Sequence, residues 1–220
     1  MNPDAQKQYF EIAYRTGSDV WTHIPYHTIA INMMPNMPAD AMVLDVGAGR
    51  GIWISKLVAE GYRAIGLEYI HDVVRKGNQD IKLNDYADRA RYIHGDVLDI
   101  PLVDHSFDAV TDIGVMQHID VMYWHQYMSE IKRVLKPGGY VMNVSLSKDT
   151  PRFLGFRPKA SPENQFEKFG VLYHFFSADE INDLFRHHGF ELVEQKTHSF
   201  EPKTDPLDSL VLLFSVYQLK

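Results

Sequence analysis

Three glycines on alternate positions, Gly47, Gly49 and Gly51, close an apolar run in "VLDVGAGRG" (43–51). Glycine lets a turn adopt positive φ and lets a ligand approach the backbone without meeting a Cβ. Such a turn between strand and helix suits a nucleotide-like ligand, although purely structural turns use glycine as well. Asp45, two residues ahead of Gly47, narrows the ligand. Its carboxylate sits poorly beside a pyrophosphate and well beside a cation, unless it is spent on the loop's own amides. Glu68 ends a second apolar run 17 residues after Gly51, where a carboxylate accepts hydrogen bonds from ribose hydroxyls. Asp96, in "HGDV" (94–97), can accept from an exocyclic adenine amine, and Val97 or Ile70 can sandwich the ring. Asp112 closes a further run, so acids stand at four consecutive strand ends.

Strands alternating with helices must position these groups, which implies a mostly parallel sheet covered on both faces. The predicted strands are 41–46, a second run in "YRAIGLEYI" ending near Glu68, 90–97, 106–115 and 140–147. A helix over 51–61 is closed by Gly61, and Val121, Trp124, Met128, Ile131 and Leu135 follow helical spacing. "KPGG" (136–139) is expected to break that helix before the fifth strand. Ser177 and Glu180 form a capping box that opens a helix ended by Gly189. Two last strands, 190–200 and 209–219, flank "EPKTDPLD", a loop long enough for a hairpin. The predicted fold is therefore α/β: a doubly wound, Rossmann-like sheet of about seven strands with one antiparallel strand near its edge.

Two segments stand outside that core. Residues 1–40 read as an N-terminal helical cap, with aromatic and histidine side chains in "SDVWTHIPYH", and 148–176 as an insertion after the fifth strand. The insertion lies on the C-terminal side of the sheet, where open α/β folds bind ligands, and reads as a lid. The whole chain, 1–220, reads as one domain.

Together these motifs resemble class I S-adenosylmethionine-dependent methyltransferases over residues 41 to 147, with a weaker continuation to the end. "VLDVGAGRG" is similar to the family's first motif and "GLEYI" to its ribose-binding strand end. "GDVLDIPLVDHSFDAV" is similar to its adenine-contacting segment and "IKRVLKPGGYVMNV" to its passage into the fifth strand. The resemblance implies S-adenosylmethionine as cofactor and S-adenosylhomocysteine as product. Asp45, Gly47, Ala48 and Gly49 would hold the amino-acid tail, Glu68 and Tyr69 the ribose side, and Asp96 and Val97 the adenine. Asp112, or the carbonyls next to it, would face the methionine ammonium.

Methyl transfer is an in-line displacement, so much of the catalysis can come from alignment. A hydroxyl or ammonium acceptor also needs a base. His118, in "GVMQHID" (114–120), is the candidate base, with orientation of its loop as the alternative role. Trp21, Tyr26, His27, Arg152, Tyr173 and His174 are candidate acceptor contacts. Arg152, Arg157, Lys159 and Lys168 cluster in the insertion, either against an acidic substrate group or as a solvated face.

The charge balance narrows the partners. A net charge of −7 repels phosphate backbones and disfavours nucleic acid. The chain has no cysteine, hence no thiolate nucleophile or cysteine metal cluster, and its 11 histidines are scattered along the sequence. No metal is expected. No apolar run is long enough to span a bilayer, and "MNPDAQKQYF" lacks the order of a secretory signal, so the expected location is the cytoplasm. The leading reading is a small-molecule methyltransferase, with homodimerisation open. A protein or tRNA acceptor, a non-catalytic S-adenosylmethionine-binding protein and an NAD-dependent oxidoreductase are the alternatives. The glycine spacing, which departs from G-x-G-x-x-G, speaks against the last.

Overall fold

The computed structural model of the chain describes residues 3–151, 165–200 and 210–220. Its main sheet is built from β1 (Met42–Val46), β2 (Arg63–Glu68), β3 (Ala90–His94), β4 (Phe107–Ile113), β5 (Leu135–Leu146), β8 (Phe190–Phe200) and β9 (Leu210–Leu219). A separate hairpin joins β6 (Gln165–Lys168) to β7 (Val171–His174). The strand order is β3-β2-β1-β4-β5-β9-β8, and β9 alone runs against its two neighbours. The antiparallel strand thus lies one place in from the edge. Residues 201–209, which contain the predicted "EPKTDPLD" loop, fall outside the described residues.

Among the described residues, six helices flank these strands: α1 (Pro3–Thr16), α2 (His27–Met33), α3 (Ile52–Ala59), α4 (His71–Leu83), α5 (Trp124–Val134) and α6 (Ala178–His187). The pleat divides their contacts. Along β1, Val43 joins the cluster of Met33, Trp53, Leu57 and Ile81, from α2, α3 and α4. Leu44 and Val46 point the other way, into Tyr127, Met128, Ile131, Ile181 and Phe185 of α5 and α6. Each fully buried apolar side chain contributes about 1.5–3 kcal/mol relative to exposure, so the sheet is held from both faces. Ser177 caps α6 as its sequence predicts: its hydroxyl accepts from the Glu180 N–H at 3.2 Å, and the Glu180 carboxylate accepts from the Ser177 N–H. Among the described residues no helix is long and apolar enough to cross a membrane.

"KPGG" does more than break a helix. Leu135 already pairs with Phe107, the register then shifts, and pairing resumes at Ala109 and Tyr140. The motif is an irregularity inside β5, with Gly138 at φ 76°. Within the 148–176 insertion, Gln165–Lys168 and Val171–His174 form the β6–β7 hairpin. Its two-residue turn, Phe169–Gly170, has positive φ at both positions, 55° and 76°, the geometry that matches strand twist. Arg152, Arg157 and Lys159 lie outside the described residues. Lys168 ends β6, its ammonium 5.3 Å from the Phe169 ring.

The chain leaves β1 toward β2 and β3 on one side and later returns to place β4 on the other. That reversal opens a crevice beyond the C-terminal ends of β1 and β4, the usual ligand position in open α/β sheets. α1, a 3-10 turn at Val20–His23 and α2 stand at this end.

Candidate active site

A cavity of about 640 Å³ fills the crevice, within the ~300–1,000 Å³ range of small-molecule sites. Its floor is the glycine turn, with Gly47, Gly49 and Gly51 at φ 65°, 50° and 77°. An added Cβ at Gly49 would come 2.9 Å from the Tyr14 hydroxyl, so both the local conformation and the cap above require glycine there. Ala48 anchors the turn by donating its N–H to the Leu67 carbonyl at 3.1 Å.

Asp45 and Glu68 line the cavity while almost fully buried. Asp45 accepts from the Thr111 hydroxyl at 2.8 Å. Burial, opposed by that bond and reinforced by the nearby Asp112 and Glu68, raises its pKa to about 8. Glu68 accepts three backbone N–H groups: Gly49 on one oxygen at 3.1 Å, Tyr69 and Ile70 on the other at 2.9 and 3.1 Å. Burial raises it to about 6 against the pull of those bonds. A carboxylate offers about four acceptor sites, so the oxygen shared with Gly49 has one left for a ligand hydroxyl.

Tyr69, Asp96 and Val97 also line the cavity. Asp96 is exposed and accepts from the Leu98 N–H at 2.9 Å. Trp21 and Tyr26 reach the cavity from the cap, and the Trp21 indole lies where a Cβ on Gly114 would stand.

Asp112 does not line it. Its carboxylate is turned to the opposite face of β4, where it accepts from the Tyr127 hydroxyl at 2.7 Å and the Asn143 amide at 3.1 Å. It also takes the Val115 and Met116 N–H groups. The two-residue period of a strand forces this: Ile113 lines the cavity, so Asp112 shares the opposite face of β4 with Val110, under α5. Three further candidates are likewise off the cavity wall. His27 faces Lys56 of α3, and burial together with that cation lowers its pKa. Tyr173 packs edge-on against His118 at 5.1 Å. His174 is buried between Trp124 and Phe176 and bonds Glu180 at 2.8 Å. Burial pushes Glu180 up, but bonds from His174 and Lys148 outweigh it and hold it at about 2.

His118 does line the cavity, with both ring nitrogens engaged. Nδ1–H donates to the Leu172 carbonyl at 2.6 Å, which leaves Nε2 as the acceptor, 3.2 Å from the Gln117 amide nitrogen. The Gln117 oxygen already accepts the Leu146 N–H, which orients that amide. Burial lowers the His118 pKa to about 4, opposed by its bond to Leu172, so the ring is neutral near pH 7. This geometry suits an orienting residue better than a base.

The structure adds residues that local motifs do not announce. Gln6, Phe10 and Tyr14 of α1 line the cavity from above, and only their i, i+4 spacing marks them as one helix face. Arg50, inside the glycine turn, donates twice to Asp19 of the cap, at 2.9 and 2.8 Å, and once to the Tyr14 carbonyl. Asp19 also receives the Thr22 hydroxyl. Although burial pushes Asp19 up, its bonds to Arg50 and Thr22 hold it below the usual carboxylate range.

An acid-lined crevice beyond the C-terminal ends of a mostly parallel sheet defines a Rossmann-like α/β protein whose cavity suits a positively charged small ligand better than a phosphate. Comparisons with known proteins carry this further. A methyltransferase-domain family matches residues 44–143. The demethylmenaquinone methyltransferase of Geobacillus sp. (strain WCH70) is 29% identical over 186 residues, spanning 75% of this chain and 77% of that protein. A probable S-adenosylmethionine-dependent methyltransferase of Mycolicibacterium smegmatis is 30% identical over 174 residues, 76% of this chain and 58% of its own. Among solved structures, the Burkholderia thailandensis 1,6-didemethyltoxoflavin-N1-methyltransferase, with 1,6-didemethyltoxoflavin and S-adenosylhomocysteine bound, superposes with a TM-score of 0.77. It is 20% identical, over 99% of this chain and 88% of that one. The domain match, these methyltransferase relatives and the shared fold together support a class I S-adenosylmethionine-dependent methyltransferase. It is an enzyme, with S-adenosylmethionine as its methyl donor.

The residues present fit that donor. S-adenosylmethionine carries a sulfonium and an ammonium but no phosphate, and the cavity presents the carboxyls of Asp45, Glu68 and Asp96. One acceptor position of Glu68 remains for a ribose hydroxyl, and the glycine turn keeps its floor open.

Proposed function

We propose that the chain methylates a small molecule enclosed between the strand ends and the cap. The observation that carries this is the roof of the cavity. Phe10, Trp21 and Tyr26 from the first 40 residues face the strand ends across the same 640 Å³, so the acceptor side is walled by aromatic rings. A folded protein or a tRNA would need an open, basic approach. The demethylmenaquinone and 1,6-didemethyltoxoflavin enzymes, named for ring-bearing small molecules, support the same class of acceptor. In this reading 1–220 acts as one catalytic unit, with 1–40 as its cap, in the cytoplasm.

When bound, the donor supplies a methyl group on a positively charged sulfur, open to in-line displacement. The chain's own groups bind, align and exclude water. Glu68 accepts a ribose hydroxyl, Asp96 takes the adenine amine, and Val97 lies against the ring. Gly47, Ala48, Gly49 and Asp45 receive the amino-acid tail, with Asp45 complementing positive charge. Trp21, Phe10 and Tyr26 exclude water from the reacting atoms, and the fixed walls supply proximity. Deprotonation of the acceptor is not assigned to His118, whose Nε2 lone pair is directed at the Gln117 amide.

Incubation with labelled S-adenosylmethionine and a panel of ring-bearing phenols, quinols and heterocyclic amines tests the reading. Transfer to a member of the panel, lost in Trp21→Ala, supports it. Transfer only to added protein or tRNA overturns it.

Asp45 makes donor binding pH-dependent. Its pKa is about 8 in the folded chain against an ordinary 3.8, so near pH 7 the carboxyl is mostly protonated. A cation favours the ionised form, and binding below pH 8 must expel a proton. Affinity for S-adenosylmethionine is expected to rise by up to ~10-fold per pH unit between about pH 6 and 8, then level off. Calorimetry in buffers of different ionisation enthalpy reads the released proton directly. The linkage for stability has the opposite sign. A raised carboxyl favours the folded state below pH 3.8, and that contribution is lost as pH climbs through about 8.

A further inference from the structure

Leu172 lies on the free edge of the hairpin. The turn is closed by Lys168 and Val171, and Leu172 faces Glu167 at the next pair. In an antiparallel pair hydrogen-bonded and non-bonded positions alternate, so the Leu172 N–H and C=O point away from β6. Edge groups of this kind need partners. The Leu172 N–H donates to Gln6 Oε1 at 3.0 Å, across 166 residues. The Leu172 carbonyl accepts His118 Nδ1–H at 2.6 Å. Gln6 Nε2 then donates to the His118 carbonyl at 3.0 Å.

These three bonds close a ring joining α1, the turn after β4 and the hairpin. Phe10, one helical turn from Gln6, packs edge-on against the His118 imidazole at 5.3 Å, and Tyr173 does so from the hairpin side at 5.1 Å. Gln6 is the only member of the ring on the cap, and it has no covalent or sheet tie to the other two. Its amide serves both as acceptor and donor, a role that an aliphatic side chain of similar length cannot fill. Gln6, Phe10 and His118 all line the cavity.

We propose that Gln6 is a positioning residue for the methyl-transfer reaction: through His118 and Leu172 it pins the cap over the site and so sets how fast S-adenosylhomocysteine leaves. The proposal rests on the reading that the cavity beneath the cap holds the cofactor. Breaking the ring leaves Asp45, Glu68 and the glycine turn in place but lets α1 lift. Entry and exit then both quicken, and the dissociation constant moves less than either rate.

The test is stopped-flow tryptophan fluorescence of S-adenosylhomocysteine binding and release, on wild type, Gln6→Leu and Gln6→Glu. Gln6→Leu loses both bonds and is expected to speed release on the order of 10-fold, with the dissociation constant changed less than about 3-fold. Gln6→Glu keeps an acceptor for the Leu172 N–H but sets a carboxylate oxygen against the His118 carbonyl, and should release faster than wild type. Hydrogen exchange of α1 and of the Leu172 amide should slow together when S-adenosylhomocysteine is added to wild type and fail to do so in Gln6→Leu. A lowered melting temperature with release rates within 2-fold of wild type would overturn the proposal, because a purely structural edge contact predicts that pattern. If Gln6→Leu does not fold, Gln6→Glu and the wild-type exchange decide: release unchanged, or exchange uncoupled, counts against it. Absence of S-adenosylhomocysteine binding by the wild type would instead remove the reading beneath it.

Discussion

Glu68→Ala is expected to weaken S-adenosylmethionine binding by about a hundredfold, or roughly 3 kcal/mol. Two losses add. The ribose side forfeits a charge-assisted hydrogen bond, worth about 1.5–3 kcal/mol. The N–H groups of Gly49, Tyr69 and Ile70 lose their common acceptor, and the glycine turn is no longer tied to the end of β2. Water entering the open cavity recovers part of the second loss but restores no geometry. Glu68→Gln separates the two contributions. Its carbonyl can still accept from Tyr69 and Ile70, while its NH2 faces the Gly49 N–H, donor against donor, and about 10-fold weaker binding follows. Calorimetric titration of both variants, with melting temperatures alongside, checks the prediction. Unchanged affinity with lowered stability would reduce Glu68 to a loop anchor.

Asp112→Ala carries the largest expected cost in stability, about 4 kcal/mol, because four donors converge on one buried carboxylate. Tyr127, Asn143 and the N–H groups of Val115 and Met116 would be left without it, and each unsatisfied buried donor costs about 1–3 kcal/mol before relaxation. For a chain of this size the melting temperature should fall by about 10 °C. Asp112→Asn keeps the volume and one acceptor oxygen and should cost about half as much. Because Asp112 packs under α5 and not against the cavity, cofactor affinity well below the melting point should change less than about 3-fold in the asparagine variant. Affinity lost at unchanged melting temperature would instead return Asp112 to the ligand.

The contrast between these two acids shows how far local reading reaches. Both stand at or next to a strand's C-terminal end, and both close apolar runs in the sequence. Side-chain direction alternates along a strand, and register decides the face: Asp112 pairs with Val46, which pairs with Leu67, one place before Glu68. β2 stops at Glu68 and turns its carboxylate to the cavity. β4 runs one residue past Asp112, to Ile113. A one-residue difference in register is beyond what periodicity resolves, and it moves an acid from the cavity to the core.

By itself the sequence determined the strand–turn–helix frame, and the resemblance of its motifs to a known family implied the cofactor. The frame depends on local rules: glycine where φ must be positive, apolar runs for buried parallel strands and a capping box for α6. The tertiary structure alone decided the roof. Gln6 meets His118 and Leu172 across 112 and 166 residues, and Arg50 meets Asp19 across 31. No local preference encodes such pairings. They arise because buried edge groups and charges must find partners once the chain is compact, and those partners shape the space left for the acceptor.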